Sequence, residues 1–428
     1  MKVFALILFI LMYVLMILRP KYRPCIAIAT GIIYVVSGIL PVSEVPAVIN
    51  WNVLMMITGT MILVEYFIAS RMPNRLAEIL LVKSKNVMWV TIYMSLFAGI
   101  ISAFIDNVAT VLMVAPVGIA ICRKLKINPV GMILSIAVSS NLQGAATLVG
   151  DTTSIMLGDY ARMNFMDFFW MKGRPGIFFA VELGALATVP IMMVLFSKHR
   201  APVNSDSRTE VESSIPTVML VLMVLALIAA SFIPDTPSVI NGMICCILAV
   251  IMAVIDFVKN RGRSGRRNRN GILQILKKLD YETLLLLLGL FVVIGGITNV
   301  GIIDDFSAWI VKFGGNSRFL LYTIIVWGSV LISAFVDNIP YVATMLPVLT
   351  AVTASLGVEP YLFYFGLLSG ATLGGNITPI GASANIAGVG LLKKEGYTVS
   401  FGTFMKIGVP YTLTAVLTGY LYLWLVWA

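Results

Sequence analysis

The sequence predicts an all-α polytopic membrane protein made of two inverted repeats. Each repeat is expected to hold about five transmembrane helices and one re-entrant hairpin, with a broken helix after each hairpin. Three observations predict this fold. Of 428 residues, 59% are hydrophobic and only 12% are charged, whereas soluble proteins are about half apolar and one quarter charged. A sixteen-residue phrase occurs twice, and basic loops alternate with apolar spans in a consistent pattern.

The repeated phrase reads ISAFIDNVATVLMVAP at 101–116 and ISAFVDNIPYVATMLP at 332–347. The offset of 231 residues persists beyond the phrase without a gap, so that Gly144 matches Gly375 and Thr147 matches Thr378. Both copies place an Asp-Asn pair inside an apolar stretch. An acid in hydrocarbon is costly and is rarely retained without a use. A duplicated membrane segment with an acid at its centre is typical of a secondary transporter.

The chain contains many apolar runs long enough for the ~20-residue helix that crosses a bilayer. Alternating strand patterns are absent from the sequence, so helices are expected to satisfy the backbone. The net charge of +10 does not indicate a nucleic-acid partner, because eight basic residues and no acid lie within 257–279. Short basic loops of this kind mark the cytoplasmic side. The expected surroundings are therefore the lipid bilayer, with the loop 258–280 in the cytoplasm.

Enzymatic chemistry is not expected. The four cysteines show no metal-ligand spacing, and His199, the only histidine, lies in a polar loop. No nucleotide-binding phrase of the GxxxxGK[ST] type occurs in the sequence, so hydrolysis within the chain is not expected. A separate ATPase subunit is retained as an alternative partner, and no cofactor is expected beyond a bound Na⁺ or H⁺.

Basic loops set the predicted topology. The first repeat, 1–200, has spans near 3–18, 24–40, 47–69 and 176–196, and the hairpin 87–122 has basic residues on both flanks, so it should enter and leave on one side. Because each repeat has five crossings, an odd number, the second repeat is expected to be inverted relative to the first. Both termini are expected on the extracytoplasmic side of the cytoplasmic membrane. The remaining predicted segments are the broken helix 128–160, the cytoplasmic linker 201–214, and the second repeat 215–428 with spans near 215–233, 238–257, 283–301 and 407–427, the hairpin 319–357 and the broken helix 360–392.

The residues expected to bind an ion or substrate lie at the hairpin tips and in the helix breaks, 141–154 and 372–385. Glycine and proline interrupt a helix, which frees backbone carbonyls, and nearby hydroxyls add the oxygens that a dehydrated cation needs. Small polar residues are also common at helix packing contacts in membranes, and this is the alternative reading. The candidates are Asp106, Asn107, Thr110, Thr147, Asp151, Thr152, Ser154, Asp337, Asn338, Asn376, Thr378, Ser383 and Asn385, with Asn141 and Gln143 as second choices.

Two further acids, Glu65 and Glu182, lie in apolar stretches and have no acidic counterpart at the offset. No lysine or arginine lies near the middle of any predicted span, so the intramembrane acids are expected to lack basic partners. Glu65 and Glu182 are candidate proton carriers, and a neutral structural acid is the equally weighted alternative.

The phrases SAFIDNVATVLMVAP, GAATLVGDTTSIM, SAFVDNIPYVATMLP and GATLGGNITPIGASANIAG resemble the ion transporter superfamily. Within that superfamily, the Asp-Asn tips and the GASAN phrase of this chain are most similar to the branch of arsenite permeases, the P protein and D-type sodium/proton antiporters. The resemblance covers essentially the whole chain and implies an elevator mechanism and a homodimer. In anion symporters of the superfamily each tip is Ser-Asn-Thr, whereas here Asp106-Asn107-Val108 and Asp337-Asn338-Ile339 stand there. This departure disfavours a di- or tricarboxylate cargo.

The leading hypothesis is a secondary active transporter for a small inorganic ion or an arsenite-like oxyanion, driven by a proton or sodium gradient. Asp106, Asn107, Asp337 and Asn338 would hold the Na⁺ or H⁺. Three alternatives stay open: a sodium/proton antiporter, a sodium-coupled transporter of citrate-like organic anions, and an ion channel. Re-entrant hairpins in inverted repeats favour alternating access over a continuous pore.

Overall fold

The computed structural model of the protein describes residues 1–198, 209–234, 236–260, 272–314 and 317–428. Two predicted segments fall partly outside these ranges: residues 201–208 of the linker and residues 261–271 of the basic loop. His199 also lies outside the described residues.

The described residues are almost entirely helical. In the first half the helices are α1 (Lys2–Leu18), α2 (Arg23–Val36), α3 (Val45–Val48), α4 (Trp51–Ala69), α5 (Met72–Val82), α6 (Val87–Ser102), α7 (Asn107–Lys124), α8 (Val130–Gly144), α9 (Thr152–Tyr160) and α10 (Ile177–Leu195). In the second half they are α11 (Ile215–Ala230), α12 (Ile240–Asn260), α13 (Ile272–Lys278), α14 (Tyr281–Asn299), α15 (Ile302–Gly314), α16 (Arg318–Ser333), α17 (Asn338–Leu356), α18 (Tyr361–Gly374), α19 (Ser383–Lys394) and α20 (Phe401–Trp427). Short 3₁₀ turns lie at Pro20–Tyr22, Val42–Glu44, Met166–Phe168 and Gly375–Ile377.

Seven helices in the described part of the chain are long and apolar enough to cross a membrane. They are α4, α7, α10, α12, α14, α17 and α20, and α15 with α16 form one sharply bent pair that would add an eighth span. The prediction of a multi-pass helical membrane protein is confirmed. The predicted hairpins are the helix pairs α6–α7 and α16–α17, and the predicted breaks separate α8 from α9 and α18 from α19. Their re-entrant character and the inverted orientation of the halves stay predictions.

Helix contacts are matched between the halves. Helix α6 packs on α8 as α16 packs on α18, and α4 packs on α12 as α14 packs on α2. Glycine lets α4 approach α12 closely, and lets α14 approach α2 closely. A Cβ on Gly59 would lie 2.5 Å from the Cys245 backbone, and a Cβ on Gly289 would lie 2.6 Å from the Ala27 backbone. Small residues of this kind let membrane helices approach backbone to backbone.

The core centres on α8 and α18, which precede the two breaks. Every residue of α8 from Met132 to Gly144 is buried, and so is every residue of α18 from Leu362 to Gly374. A helix that is buried all round lies inside a bundle. Both breaks are therefore held in the protein interior, where irregular backbone can persist without facing lipid.

Three segments between the predicted spans have secondary structure that the sequence analysis did not predict. The stretch around Arg75 is helix α5, because Pro73, Ala77 and Leu81 form a buried stripe at helical spacing. The matching stretch of the second half is helix α15. A two-stranded antiparallel sheet joins α9 to α10, with Trp170–Met171 (β1) paired to Arg174–Pro175 (β2) around the positive-φ Gly173.

Candidate ion-binding site

The two predicted acids of the repeated phrase begin helices. Asp106 precedes α7 and accepts hydrogen bonds from the backbone N–H groups of Val108 (3.1 Å) and Ala109 (3.0 Å). Asp337 precedes α17 and accepts from the N–H of Ile339 at 3.2 Å. Aspartate is a favoured N-cap because it satisfies N–H groups that have no partner in the helix, and the helix dipole favours its charge. Each acid therefore has a structural role at the tip of its hairpin.

The asparagine after each acid links the hairpins to other elements. The side-chain N–H of Asn107 donates to the side-chain oxygen of Asn141 at 3.0 Å, and the backbone carbonyl of Asn107 accepts from Ser140 at 2.9 Å. Asn338 donates to Asp151 of the first half at 3.3 Å. Both asparagines are buried. The second hairpin is thus bonded to the break of the first repeat.

Each break is fastened to the hairpin turn of its own repeat by the same contacts. The Thr147 hydroxyl donates to the Ala103 carbonyl, and the matching Thr378 hydroxyl donates to that of Ala334. A glycine completes each contact. A Cβ on Gly150 would lie 2.6 Å from the carbonyl oxygens of Ser102, Ala103 and Gly144, and one on Gly381 would lie 2.6–2.7 Å from those of Ser333, Ala334 and Gly375.

The two repeats meet at Asn141. Its side-chain N–H donates to the backbone carbonyl of Thr372 at 2.6 Å and to the side-chain oxygen of Asn376 at 3.0 Å. Asn376 donates in return to the carbonyl of Val138 at 3.0 Å. Because Thr372 lies 231 residues after Asn141, matched positions of the two copies touch at this point.

Asp106 and Asp151 face one small cavity. It has a volume of about 10 Å³ and is also lined by Thr60 of α4 and Thr152 at the start of α9, close to the least space that one water molecule needs. Asp151 is buried and accepts from the Thr153 hydroxyl at 2.8 Å. In the described part of the chain, neither carboxylate forms an ion pair with lysine or arginine. Two acidic and two hydroxyl residues, together with four apolar ones, thus line a space about the size of one water molecule.

The matching acid, Asp337, has a basic partner, and this corrects the expectation that the intramembrane acids lack one. The Arg23 guanidinium lies 2.8 Å from the Asp337 carboxylate, with 11% and 3% of the two side chains exposed. Ser383 donates to the same carboxylate oxygen at 2.9 Å. In the sequence Arg23 follows Arg19 and Lys21 after the first span, a position typical of a cytoplasmic loop charge. Its long side chain instead reaches the hairpin tip from the start of α2.

The remaining predicted residues are polar residues at the turns and breaks, and the two glutamates Glu65 and Glu182. Thr110, Ser154 and Asn385 are buried beside the turns and breaks, where they donate to the backbone carbonyls of Ile105, Gly144 and Gly375. Glu65 lies 3.6 Å from Lys278, so it too has a basic partner. Glu182 lies on α10, which packs on α20.

Sequence reasoning missed three contributors, Arg23, Ser140 and Thr153. Ser140 and Thr153 lie within the predicted phrases, and their hydroxyls were not distinguished from those of neighbouring residues. No described group of three or more His, Cys, Asp or Glu residues could hold a metal ion. The cavity instead combines carboxylates with hydroxyls, which are hard oxygen donors suited to a proton or an alkali cation.

The contact between the repeats gives a stability prediction. Asn141→Ala removes the two hydrogen bonds that the side chain donates and the one that it accepts from Asn107. It is expected to destabilise the purified protein by roughly 1–2 kcal/mol, since single interhelical bonds in membranes average ~0.6 kcal/mol. Thermal unfolding in detergent measures this as a lower midpoint. Ser135→Ala is the matched control, because Ser135 is buried on the same helix and, among the described residues, its hydroxyl bonds within that helix, to the Gly131 carbonyl. Equal shifts for both variants would contradict the role of Asn141.

Comparison with known proteins agrees with a transporter. A family model described as citrate transporter matches residues 13–363 and 268–428. An uncharacterized transporter of Mycobacterium tuberculosis strain H37Rv is 29% identical over 99% of each chain. The P protein of Mus musculus is 26% identical over 96% of this chain and 58% of that protein.

Solved structures share the fold. The YdaH transporter of Alcanivorax borkumensis superposes with a TM-score of 0.61 at 14% identity, covering 89% of this chain and 86% of that chain. MtrF of Neisseria gonorrhoeae, described with a class of antimetabolite efflux pumps, gives 0.58 at 18% identity, covering 94% and 85%.

Proposed function

The chain belongs to the CitMHS citrate transporter family, and on that premise we propose that it is a cation-coupled secondary active transporter. The observation that carries the proposal is the cavity lined by the half-buried Asp106 and the buried Asp151, whose carboxylates share a space about the size of one water molecule and have no basic partner among the described residues. Buried charges in membranes are expected to be neutralised by a proton or paired with an ion. A bound H⁺ or Na⁺ would neutralise one of them.

The packing suggests how such a site could move. The helix pairs α2–α14 and α4–α12 form one set of contacts, and the hairpins and broken helices form another. A cavity of about 440 Å³ lies between them, lined mainly by apolar side chains that include Val53, Phe291, Met156 and Leu346. Side-chain bonds cross the boundary from Arg23 to Asp337 and from Asn50 and Asn52 to Asp159, and these would have to break during a movement. The cavity itself has a mainly apolar lining. It supports an elevator motion in which the hairpins and breaks slide as one body, with the protein in the cytoplasmic membrane and both termini outside.

Two cargo classes are compatible with the side chains around the two Asp-Asn pairs. An arsenite-like neutral trihydroxide could donate hydrogen bonds to the carboxylates without repulsion. A citrate-like anion is favoured by a different observation, the buried Arg23 guanidinium beside Asp337, since arginine is well suited to carboxylate recognition. A sodium/proton antiporter would use the Asp106–Asp151 cavity for both cations and would need no further cargo.

The cation site is tested by carbodiimide labelling, because carbodiimides react with protonated buried carboxylic acids. We expect peptides that carry Asp106 or Asp151 to be labelled in purified protein, increasingly as the pH falls. Excess Na⁺, relative to choline, should protect them if the cavity binds sodium. Asp304 in the exposed first turn of α15 is the internal control, whose labelling should not respond to sodium. Absence of labelling at both cavity acids at every pH and sodium concentration would contradict the proposal.

A further inference from the structure

Arg23 and Asp337 form the most buried ion pair among the described residues. Their side chains are 11% and 3% exposed. Apart from Arg75–Glu78, which joins neighbours on one helix, each of the other described pairs has at least one side chain that is more than one third exposed. The pair joins residues 314 positions apart. Arg23 begins α2, which packs on α14, and Asp337 forms the tip of the second hairpin. A buried charge pair that links two bodies is costly to build for stability alone.

Asp337 does not depend on Arg23 for all its hydrogen bonds. Its carboxylate also accepts from the Ser383 hydroxyl at 2.9 Å and from the Ile339 N–H at 3.2 Å. Arg23 contacts Asp337 through Nη1, while its Nε donates to the Met16 carbonyl at 3.4 Å and so anchors the side chain to α1. If the carboxylate were neutralised, it would keep two donors, and the guanidinium would stay near the tip with its charge available.

We infer that Arg23 is the anion-binding residue of the cargo site, and that Asp337 occupies it until a carboxylate cargo takes its place. The inference rests on the proposed function and deepens it, because it names the cargo class as a citrate-like carboxylate. Asp337 presents to Arg23 the same chemical group that such a cargo carries. The planar guanidinium can pair with either carboxylate, and the two therefore compete for it.

This competition couples the cargo to a cation. While Asp337 is charged, Arg23 is paired with it, and an approaching anion meets the Asp337 carboxylate. When a proton or Na⁺ neutralises Asp337, Arg23 is released and the anion binds. Binding of the cation then favours binding of the anion, and by linkage the reverse holds equally. The first hairpin has no such arginine, since Asp106 lacks an ion pair in the described part of the chain. This assigns the anion to the second hairpin and leaves the Asp106–Asp151 cavity for a cation.

The competing explanation is a latch, in which Arg23 only fastens the second hairpin to α2. Both explanations predict that Arg23→Gln harms the protein, because it leaves Asp337 buried without its cation. The double variant Arg23→Gln/Asp337→Asn separates them, since it removes both charges together. A latch predicts that this variant still binds cargo, whereas an anion site predicts that it folds normally and does not.

The experiment measures equilibrium binding of radiolabelled citrate and succinate to detergent-purified protein, with Na⁺ varied at fixed pH and pH varied without Na⁺. Wild type should bind only when one of the cations is supplied. Asp337→Asn should bind without either cation, because its amide cannot hold Arg23 as an ion pair. The double variant should unfold at the wild-type temperature and bind roughly 30-fold or more weakly. Lys21→Gln, which changes an exposed basic residue two positions away, should behave as wild type.

Three results would overturn the inference. One is cargo binding by the double variant at wild-type strength. Another is unchanged cation dependence in Asp337→Asn. The third is a wild type that binds neither citrate nor succinate under any condition. In that last case the proposed function still stands if the protein accumulates arsenite against a gradient, so the two failures are distinguishable.

Discussion

Asp106→Asn is expected to abolish gradient-driven accumulation of cargo while leaving the protein folded. Asparagine is as good an N-cap as aspartate, so its side-chain oxygen can still accept from the N–H groups of Val108 and Ala109 at the start of α7. The change removes the charge from the cavity shared with Asp151. We expect accumulation in proteoliposomes to fall to roughly a tenth of wild type or less, since charged contacts are worth about 1.5–3 kcal/mol. Thermal unfolding should show a near-normal midpoint.

Asp304→Asn is the control for this substitution. Asp304 is exposed at the start of α15, and its variant should accumulate cargo as wild type does. Normal accumulation by Asp106→Asn would show that this carboxylate does not carry the coupling cation. Loss of folded protein, with any residual folded fraction fully active, would assign Asp106 to structure alone.

Gly150→Ala is expected to have the second large effect, through geometry rather than charge. The added methyl group would lie 2.6 Å from three carbonyl oxygens, which belong to Ser102, Ala103 and Gly144. These are backbone atoms of the hairpin turn and of α8, so they cannot move aside as a side chain would. Overpacking typically costs about 1–3 kcal/mol, and we expect at least that loss in thermal unfolding, together with loss of transport.

Gly381→Ala should behave alike, because its methyl would meet the matching carbonyls in the second repeat at 2.6–2.7 Å. Gly390→Ala is the control, since a Cβ on this α19 glycine would meet nothing within 4 Å. Wild-type stability and transport in both Gly150→Ala and Gly381→Ala would contradict the close contact between hairpin turns and breaks.

Much of the fold was visible in the sequence because its signals are local or repeated. The repeated phrase located the turns between α6 and α7 and between α16 and α17, and the glycines of the breaks located the interruptions after α8 and α18. Aspartate before an apolar run is an N-cap signal, which is where Asp106 and Asp337 lie. The helices α5 and α15 were missed because charged residues within them resemble loop charges.

Contacts between distant residues could not be predicted from these signals. Arg23 lies among the basic residues at 19–23, where a loop charge was the simplest interpretation, and its partner is 314 residues away. The sequence analysis gave Asn141 as a second choice and Asn376 as one of many polar candidates, yet these two residues join the repeats directly. The two repeats differ at one acidic position, since Asp151 of the first repeat is matched by Ala382 of the second. The sequence shows this difference, but only the structure shows that Asp151 shares a cavity with Asp106.

The measurement that most directly tests cation-coupled transport is cargo accumulation by wild-type protein in proteoliposomes. Citrate and arsenite would be supplied separately under a sodium gradient, a pH gradient or neither. We predict accumulation of one cargo above its external concentration under at least one gradient, and collapse when an ionophore dissipates that gradient. Entry that only equilibrates the cargo, at a rate indifferent to both gradients, would contradict the account and indicate a channel.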